Sequence, residues 1–375
     1  MGKENPKSES RTRATKNRTV VELRTALDRA DRELLTQINA RASLARSLAE
    51  AEADKSGNES SSVFTPGRDD VALKAAVENN KGPLSPDSVR GVFREILSGS
   101  RQLTKQLRVA FLGPFYTYSH LATLHRFGQS VELVPVGTIA AVFEEVNSQQ
   151  ADYGLVPIEN STDGRIADTL DMFTRLRVRI CGEVQLRIRH TLMGRGPRSE
   201  IVEVYSKSQP FSQCRNWLTK HLPAARTVEV TSTTAAVQLA LEKPGTAAIA
   251  SREAATHYGL DVLAEGIEDK HDNITRFAVI GADAAARSGR DKTAAMFQIA
   301  HQPGSLAEAI TIFKRNRLNL TWIESFPIAH GEYLFFVEFD GHETDLKVRR
   351  ALAALRKKTQ RLEILGSCPQ TQPVG

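Results

Sequence analysis

At 375 residues, the chain is longer than a single hydrophobic core usually supports, so two or three domains are expected. Its 41% hydrophobic and 25% charged residues are typical of a globular protein. No apolar run resembles a membrane span or a signal peptide, so we expect a cytoplasmic protein without membrane contact. The net charge of +6 comes in good part from residues 1–18, predicted to be a disordered basic tail, and without a basic and aromatic module it does not indicate nucleic-acid binding.

Residues 19–104 carry the pattern of an all-helical domain. Apolar residues recur at helical spacing from Val20 to Leu48 without internal Gly or Pro, which predicts one long amphipathic helix. A polar stretch follows, and Thr65-Pro66 and Ser85-Pro86 then each place a capping hydroxyl before a proline of the first helical turn. Two shorter helices are therefore predicted.

Residues 106–283 alternate between strand-like and helical segments, which predicts mostly parallel sheets covered by helices. Polar turns follow several of the predicted strands, and ligands of such sheets bind beyond the carboxyl ends of the strands, beside helix N-termini. Capping of the next helix explains each turn singly, but together they favour a site for anionic oxygens. The turns are "GPFYTYSH" (113–120), "ENSTDG" (159–164), "SKSQ" (206–209) and "TSTTAA" (231–236).

After a polar linker, residues 292–369 follow the order βαββαβ, the split ferredoxin-like pattern. Domains of this fold usually have a regulatory or binding role, although the fold alone does not decide function.

Cysteine and histidine patterns predict no metal site and no disulfide framework. Cys181, Cys214 and Cys368 are widely spaced and form no CxxC pair, so we expect reduced thiols, and the histidines lack the spacing of metal ligands.

The stretch "NITRFAVIG" (273–281) places Thr275 and Arg276 directly before a buried strand. Either the strand starts at the surface with the arginine in solvent, or the pair faces a cleft and binds an anion, since a guanidinium group suits carboxylates.

The middle segment resembles prephenate dehydratase through "GPFYTYSHLA", "VPIENSTDGRI", "VYSKSQPFSQC", "TSTTAA", "AAIAS" and "NITRF", in that family's order. The N-terminal segment resembles an AroQ-type chorismate mutase, and the last resembles an ACT regulatory domain through "PGSL" and "IESFP". Together the segments are similar to the bifunctional P-protein family of phenylalanine biosynthesis. The resemblance implies a two-lobed, binding-protein-like dehydratase domain with lobes at 106–183 plus 265–283 and at 184–264.

The dehydratase resemblance implies conversion of prephenate to phenylpyruvate, carbon dioxide and water, with no cofactor. Thr275 would lie at the departing hydroxyl and Arg276 at a substrate carboxylate. The cleft would be lined by Thr117, Ser119, Glu159, Asn160, Ser161, Gln209, Ser232 and Thr233. The sequence departs from the family at Tyr116, where the family usually has Gly, and at "SKSQ" in place of SHPQ.

The mutase resemblance implies substrate contacts from Arg24, Arg41, Arg68, Asp69 and Ser100. Arg24 and Arg41 lie 17 residues apart, about 25 Å along one helix, which fits a family dimer whose sites borrow an arginine from the partner. However, Glu52 takes the position of the family's lysine and Thr104 that of its Gln or Glu. We therefore expect weak or no chorismate turnover, unless the alignment slips and Lys55 supplies the cation.

The ACT resemblance implies a phenylalanine site between paired domains, formed by Gly304, Ser305, Leu306, Asn319, Glu324 and Ser325. Phe326 stands where the common motif has Arg, so we expect inhibition by phenylalanine that is retained but weaker. The expected assembly is a homodimer or homotetramer. The alternatives are a fully bifunctional mutase and dehydratase, which binds chorismate as well as prephenate, and a non-enzymatic sensor of aromatic amino acids.

Overall fold

A computed structural model describes residues 19–56, 66–162, 164–328 and 332–375, except for the side chains of residues 53, 55, 56 and 66. The predicted basic tail 1–18, the capping Thr65 and the Lys55 side chain lie outside the described part. Among the residues described, no helix is both long and apolar enough to cross a membrane.

The N-terminal segment is helical, as its periodicity predicts. The helices are α1 (Val20–Ser56), α2 (Pro66–Glu78) and α3 (Pro86–Gln102). Ser85 caps α3 by accepting a hydrogen bond of 3.1 Å from the backbone N–H of Ser88. Helix α1 continues past the predicted Leu48, and many of its apolar side chains are exposed, including Leu27 and Leu44.

The first lobe of the middle segment is a mixed sheet with strand order β2-β1-β3-β11-β5. Strands β1, β2 and β3 are parallel, but β11 runs antiparallel to both β3 and β5, which differs from the mostly parallel sheet predicted. The reason is the chain path: β11 returns from the second lobe and inserts between two strands of the first. The elements are β1 (Arg108–Leu112), α4 (Tyr118–Phe127), β2 (Glu132–Val136), α5 (Ile139–Asn147), β3 (Tyr153–Asn160), β4 (Gly164–Arg165), α6 (Ala167–Arg175), β5 (Arg179–Arg187) and β11 (Ile274–Gly281).

The second lobe has its own sheet, with strand order β10-β6-β9-β7-β8. The sequence pattern did not indicate β6 and β10, which are short and pair antiparallel with each other. The elements are β6 (Thr191–Gly194), a 3₁₀ turn (Arg198–Glu200), β7 (Glu203–Ser206), α7 (Ser208–Gln213), α8 (Arg215–His221), β8 (Arg226–Glu229), α9 (Thr233–Glu242), β9 (Thr246–Ala250), α10 (Arg252–Tyr258) and β10 (Asp261–Glu265).

The C-terminal segment has the predicted βαββαβ order and forms an antiparallel sheet with strand order β13-β14-β12-β15. Its elements are β12 (Asp291–Gln298), α11 (Ser305–Arg315), β13 (Leu320–Pro327), β14 (Tyr333–Asp340), α12 (Leu346–Arg356) and β15 (Arg361–Pro369).

This C-terminal sheet packs tightly on the first lobe. Ile180 and Ile280 of the lobe share one apolar core with Met296 and Phe336 of the C-terminal sheet. Gly366 lies so close to β5 that a Cβ atom there would overlap the carbonyl oxygen of Ile180. A change in the C-terminal domain therefore acts directly on strands that carry candidate site residues.

Candidate active site

Asn160 and Thr275 meet at the centre of the candidate site, on neighbouring strands. They are paired in the register of β3 and β11, and both are buried. The Asn160 amide Nδ2 donates to Thr275 Oγ1 at 2.8 Å and to Asn273 Oδ1 at 3.0 Å. Because the Thr275 oxygen accepts from Asn160, its own hydrogen remains available for a bond toward a ligand.

The side-chain amides of Asn273 and Gln213 extend this cluster. The sequence pattern assigned neither residue a role. Asn273 donates through Nδ2 to Gln213 Oε1 at 3.0 Å, and both residues are buried. The backbone N–H of Thr162 donates to Asn160 Oδ1 at 2.9 Å. Asn273 belongs to "NITRF" and Gln213 to "VYSKSQPFSQC", so both residues lie in motifs that the sequence analysis had already selected. Nothing in the sequence indicated that their side chains are in contact.

The polar turns mostly cap helices. Thr117 and Ser232 are the N-caps of α4 and α9, and each hydroxyl accepts a backbone N–H of the helix that follows. Ser161 joins β3 to β11, because its Oγ accepts from the backbone N–H of Ile274 at 2.9 Å. Ser119 and Thr233 are buried in first turns, whereas Gln209 is exposed in α7.

The two lobes touch where two side chains of the second lobe reach the turn 113–120. Thr234 Oγ1 donates to the Phe115 carbonyl at 2.8 Å, and Ser251 Oγ donates to the Tyr116 carbonyl at 3.2 Å. Tyr116 has a φ of 65°, a conformation that favours glycine, and its ring stacks on His257 at 4.0 Å between centroids. The departure from the family's glycine thus places an aromatic contact between the lobes.

Arg276 does not share the Thr275 cleft, which contradicts the prediction that it grips a substrate carboxylate there. Neighbouring residues of a strand point to opposite faces, and the guanidinium group lies on the face that contacts the C-terminal domain. It donates to Glu159 at 2.7 Å, to Glu183 at 2.8 Å and to Glu338 at 2.6 Å. Glu159, predicted as a substrate contact, likewise faces away from Asn160 and pairs with this arginine.

Lys292 completes a buried ion cluster with Arg276, Glu183 and Glu338. Burial raises the pKa of Glu183, but Lys292 and Arg276 outweigh burial and hold that pKa at about 2. Burial lowers the pKa of Arg276, and Glu183 and Glu338 more than reverse that effect. Glu183, Arg276 and Lys292 are therefore charged at neutral pH, and the cluster joins β11 and β5 to the C-terminal sheet.

A second candidate site is a cleft of about 270 Å³ in the helical domain. Arg41 donates to Ser100 Oγ at 2.8 Å, and both predicted residues line the cleft. Glu52 also faces it and forms an exposed ion pair with Arg68 at 3.2 Å. Thr104 lines the same cleft.

The other predicted mutase residues have different surroundings. Asp69 lines the cleft but forms an ion pair with Arg101, whose Nη2 donates to the Phe127 carbonyl of the first lobe at 2.6 Å. Arg24 is exposed on α1 and is not part of the cleft lining.

The predicted effector residues lie at two places in the C-terminal domain, the start of α11 and the strand β13 with the residue before it. Gly304 begins α11 with a φ of 86°, and Ser305 and Leu306 follow it in the first turn. Asn319 Nδ2 donates to Asp340 Oδ2 at 3.2 Å. Arg165 of the first lobe donates to Glu324 Oε1 at 2.7 Å and to the Ser325 carbonyl at 2.5 Å.

Phe326, at the position of the motif's arginine, is half-buried. Its ring packs edge-on against the ring of Phe336, with 6.2 Å between the ring centroids. Across the ranges that the structure describes, no group of three or more His, Cys, Asp or Glu side chains is arranged to hold a metal ion.

Comparisons with known proteins agree with this arrangement. Residues 109–285 match the prephenate dehydratase family and residues 23–105 match chorismate mutase type II. A bifunctional chorismate mutase/prephenate dehydratase of Aquifex aeolicus is 39% identical over 93% of this chain and 97% of its own.

Two solved structures are also similar. A prephenate dehydratase of Arthrobacter aurescens in complex with L-Phe has a TM-score of 0.67 and 33% identity, over 70% of this chain and 90% of that one. GqqA, described as a novel type of quorum quenching acylase, has a TM-score of 0.64 and 26% identity, over 70% of this chain and 98% of that one.

The fold and the amide–hydroxyl cluster define a multidomain enzyme whose two-lobed α/β domain presents hydrogen-bond donors from the ends of adjoining strands. The chain belongs to the bifunctional chorismate mutase/prephenate dehydratase family. It is a prephenate dehydratase, a carbon–oxygen lyase that forms phenylpyruvate in phenylalanine biosynthesis.

Proposed function

We propose that the Thr275 hydroxyl donates a hydrogen bond to the oxygen that leaves prephenate. The observation that carries the proposal is the Asn160 Nδ2–H bond to Thr275 Oγ1 at 2.8 Å, which occupies the oxygen as an acceptor and leaves its hydrogen for the substrate. When the carbon–carbon bond to the ring carboxylate breaks, its electron pair enters the ring and the carbon–oxygen bond breaks. The departing oxygen leaves as hydroxide, stabilised by the Thr275 hydrogen bond, and takes a proton from solvent to form water, while the carboxylate leaves as carbon dioxide.

Thr275 acts as a hydrogen-bond donor more than as a full acid, because an unperturbed threonine hydroxyl is a very weak acid. A positioned donor or acid of this kind contributes about 10²- to 10⁴-fold in rate. Aromatisation of the ring supplies the driving force of the reaction.

The substrate carboxylates require partners other than Arg276, which is held by protein carboxylates. We propose that they bind near the N-termini of α4 and α9, where Thr117, Ser232 and Thr233 lie and backbone N–H groups favour anions. Ser119, Ser161 and Gln209 complete this lining. Closure of the lobes through Thr234 and Ser251 supports a site between them.

For the helical domain, we propose weak or no chorismate mutase activity. A mutase of this type places a cation near the ether oxygen of chorismate, where negative charge develops in the transition state. Glu52 instead brings a carboxylate into the cleft and pairs with Arg68. The alternative is the full bifunctional activity for which the relative of 39% identity is named, and chorismate turnover by the purified chain discriminates between the two.

We further propose domains at 19–104, 106–283 and 292–369, the last an ACT-type domain with a ferredoxin-like fold that binds phenylalanine. The βαββαβ order and the L-Phe complex of the Arthrobacter dehydratase support this assignment. The residues proposed to form the effector site are Gly304, Ser305, Leu306, Asn319, Glu324 and Ser325. A homodimer or homotetramer would cover the exposed leucines of α1 and bring Arg24 of one chain to the cleft of another.

The test is an assay of the purified chain with prephenate and, separately, with chorismate, following phenylpyruvate absorbance, with and without phenylalanine. We expect phenylpyruvate from prephenate and inhibition by phenylalanine. Ligand binding without turnover of prephenate would support the non-enzymatic sensor instead. Because a similar fold carries an acylase name, hydrolysis of an acyl-homoserine lactone is the control reaction.

A further inference from the structure

A chain of buried hydrogen bonds leads from Thr275 to a histidine in the second lobe. From Asn273 the chain continues to Gln213 Oε1, which also contacts His190 Nε2 at 2.7 Å. His190 Nδ1 contacts the Tyr118 hydroxyl at 2.9 Å, and the same hydroxyl donates to the Arg189 carbonyl at 2.8 Å. His190 is 1% exposed, so its ring nitrogens depend on these partners.

The directions of the bonds from Asn160 to His190 follow from one backbone group. The Thr162 N–H can only donate, so the Asn160 atom beside it is the carbonyl oxygen. Asn160 then turns Nδ2 toward both Thr275 Oγ1 and Asn273 Oδ1, and Asn273 turns its own Nδ2 toward Gln213. Gln213 therefore presents an oxygen to His190.

An oxygen at that position requires a hydrogen on His190 Nε2. A neutral ring that carries this hydrogen has a lone pair on Nδ1, which faces the Tyr118 hydroxyl, whose one hydrogen lies between Nδ1 and the Arg189 carbonyl. The opposite tautomer would bring two lone pairs together between His190 and Gln213.

The surroundings of His190 favour the neutral ring. Burial lowers its pKa, whereas the Gln213 hydrogen bond and the carboxylate of Glu268 oppose that effect. Glu268 is itself engaged, because it accepts the backbone N–H of His190 at 2.9 Å and pairs with Arg189 at 3.0 Å.

We propose that His190, whose Nε2–H faces the Gln213 oxygen, is a positioning residue for dehydration: it fixes Gln213 and Asn273, and through them the direction in which Thr275 donates. The proposal rests on the proposed role of Thr275. His190 lies in the second lobe and Thr275 in the first, so the chain also makes the orientation of the donor depend on how the two lobes meet.

The test compares two His190 variants by steady-state kinetics with prephenate. His190→Leu removes the donor to Gln213, and we expect kcat to fall about tenfold or more while KM changes by less than about threefold. His190→Gln places an amide N–H near the Nε2 position and should recover most of the lost kcat. His221→Leu, a histidine change on α8 away from this chain, is the matched control and should retain wild-type kinetics.

A purely structural role would lower the thermal midpoint of both variants without separating their kcat values. Wild-type kcat in His190→Leu, or equal losses in the Leu and Gln variants, overturns the proposal. Loss of activity in Thr275→Ala beside a normal His190→Leu would reject this inference while leaving the proposed function intact. Inactive wild-type protein would reject the proposed function itself.

A second measurement keeps the proposal testable if His190→Leu does not fold. Nitrogen-15 NMR of histidine-labelled protein, with His190→Gln used to assign the signal, reports which ring nitrogen carries the hydrogen. We expect the Nε2–H tautomer in the wild type and a mixture or loss of that tautomer in Gln213→Leu, which removes the oxygen that accepts the Nε2 hydrogen. An Nδ1–H or doubly protonated His190 at neutral pH overturns the proposal.

Discussion

Replacing Arg276 by methionine removes a buried cation but keeps most of the side-chain volume. The ion cluster around this residue contains three carboxylates and two basic groups: Glu159, Glu183, Glu338, Arg276 and Lys292. The variant leaves Lys292 as the only cation among them. Glu183 and Glu338 are only 2% and 6% exposed, so solvent cannot replace the lost partner.

Removal of one partner of a buried ion pair typically costs about 3–5 kcal/mol. At about 2–4 °C per kcal/mol for chains of 150–250 residues, Arg276→Met should lower the thermal midpoint by roughly 6–20 °C. At a temperature where the variant is still folded, we expect a KM for prephenate within about threefold of wild type. Adding Glu338→Gln should restore part of the midpoint, because one unpaired carboxylate is then removed.

The matched control is Arg175→Met, which breaks an exposed pair with Asp171 in α6 and should change stability by less than about 1 kcal/mol. The measurements are differential scanning fluorimetry and steady-state kinetics of all four proteins. An unchanged thermal midpoint together with a KM for prephenate raised more than about tenfold would refute a structural role for Arg276. That result would show that Arg276 binds the substrate.

Three further predictions concern other parts of the chain. Glu52→Lys, alone or with Thr104→Gln, should raise chorismate turnover above that of the wild type, and robust wild-type turnover would show that another residue supplies the cation. Arg165→Ala removes the contact of the first lobe with Glu324 and Ser325. Half-inhibition by phenylalanine should then require about three- to tenfold more ligand, while the rate without phenylalanine stays within about twofold of wild type. An unchanged inhibition curve would show that other residues couple the effector site to the active site. Burial raises the pKa of the Cys181 thiol to about 12 and also raises the pKa values of Cys214 and Cys368. Iodoacetamide at neutral pH should therefore label no thiol of the folded chain and all three thiols in urea. Rapid labelling of the native protein would contradict this burial.

The order of helices and strands was largely predictable because it depends on local patterns. Helical spacing of apolar residues up to Leu48 and the proline-capped starts of the next helices need no tertiary information. The strands β6 and β10 escaped prediction because they are short and carry little alternation, and β11 takes its direction from a chain path through the second lobe.

The site was predictable in part, for a similar reason. Asn160 and Thr275 lie in recognisable motifs, and the structure pairs them. Arg276 was assigned to the same cleft although strand alternation separates adjacent side chains, and its partner Glu338 lies 62 residues away. Buried carboxylates such as Glu183 look like surface residues in a sequence, and long-range contacts such as His190 with Gln213 leave no local pattern.

The role of Thr275 is tested most directly by measuring kcat for prephenate in Thr275→Ala and Thr275→Ser, together with prephenate binding by calorimetry. We expect Thr275→Ala to lower kcat by at least about 10²-fold with binding within about threefold, because only the donor to the departing oxygen is lost. Thr275→Ser keeps the hydroxyl and should retain more activity than the alanine variant. A kcat near that of the wild type in Thr275→Ala would contradict the account.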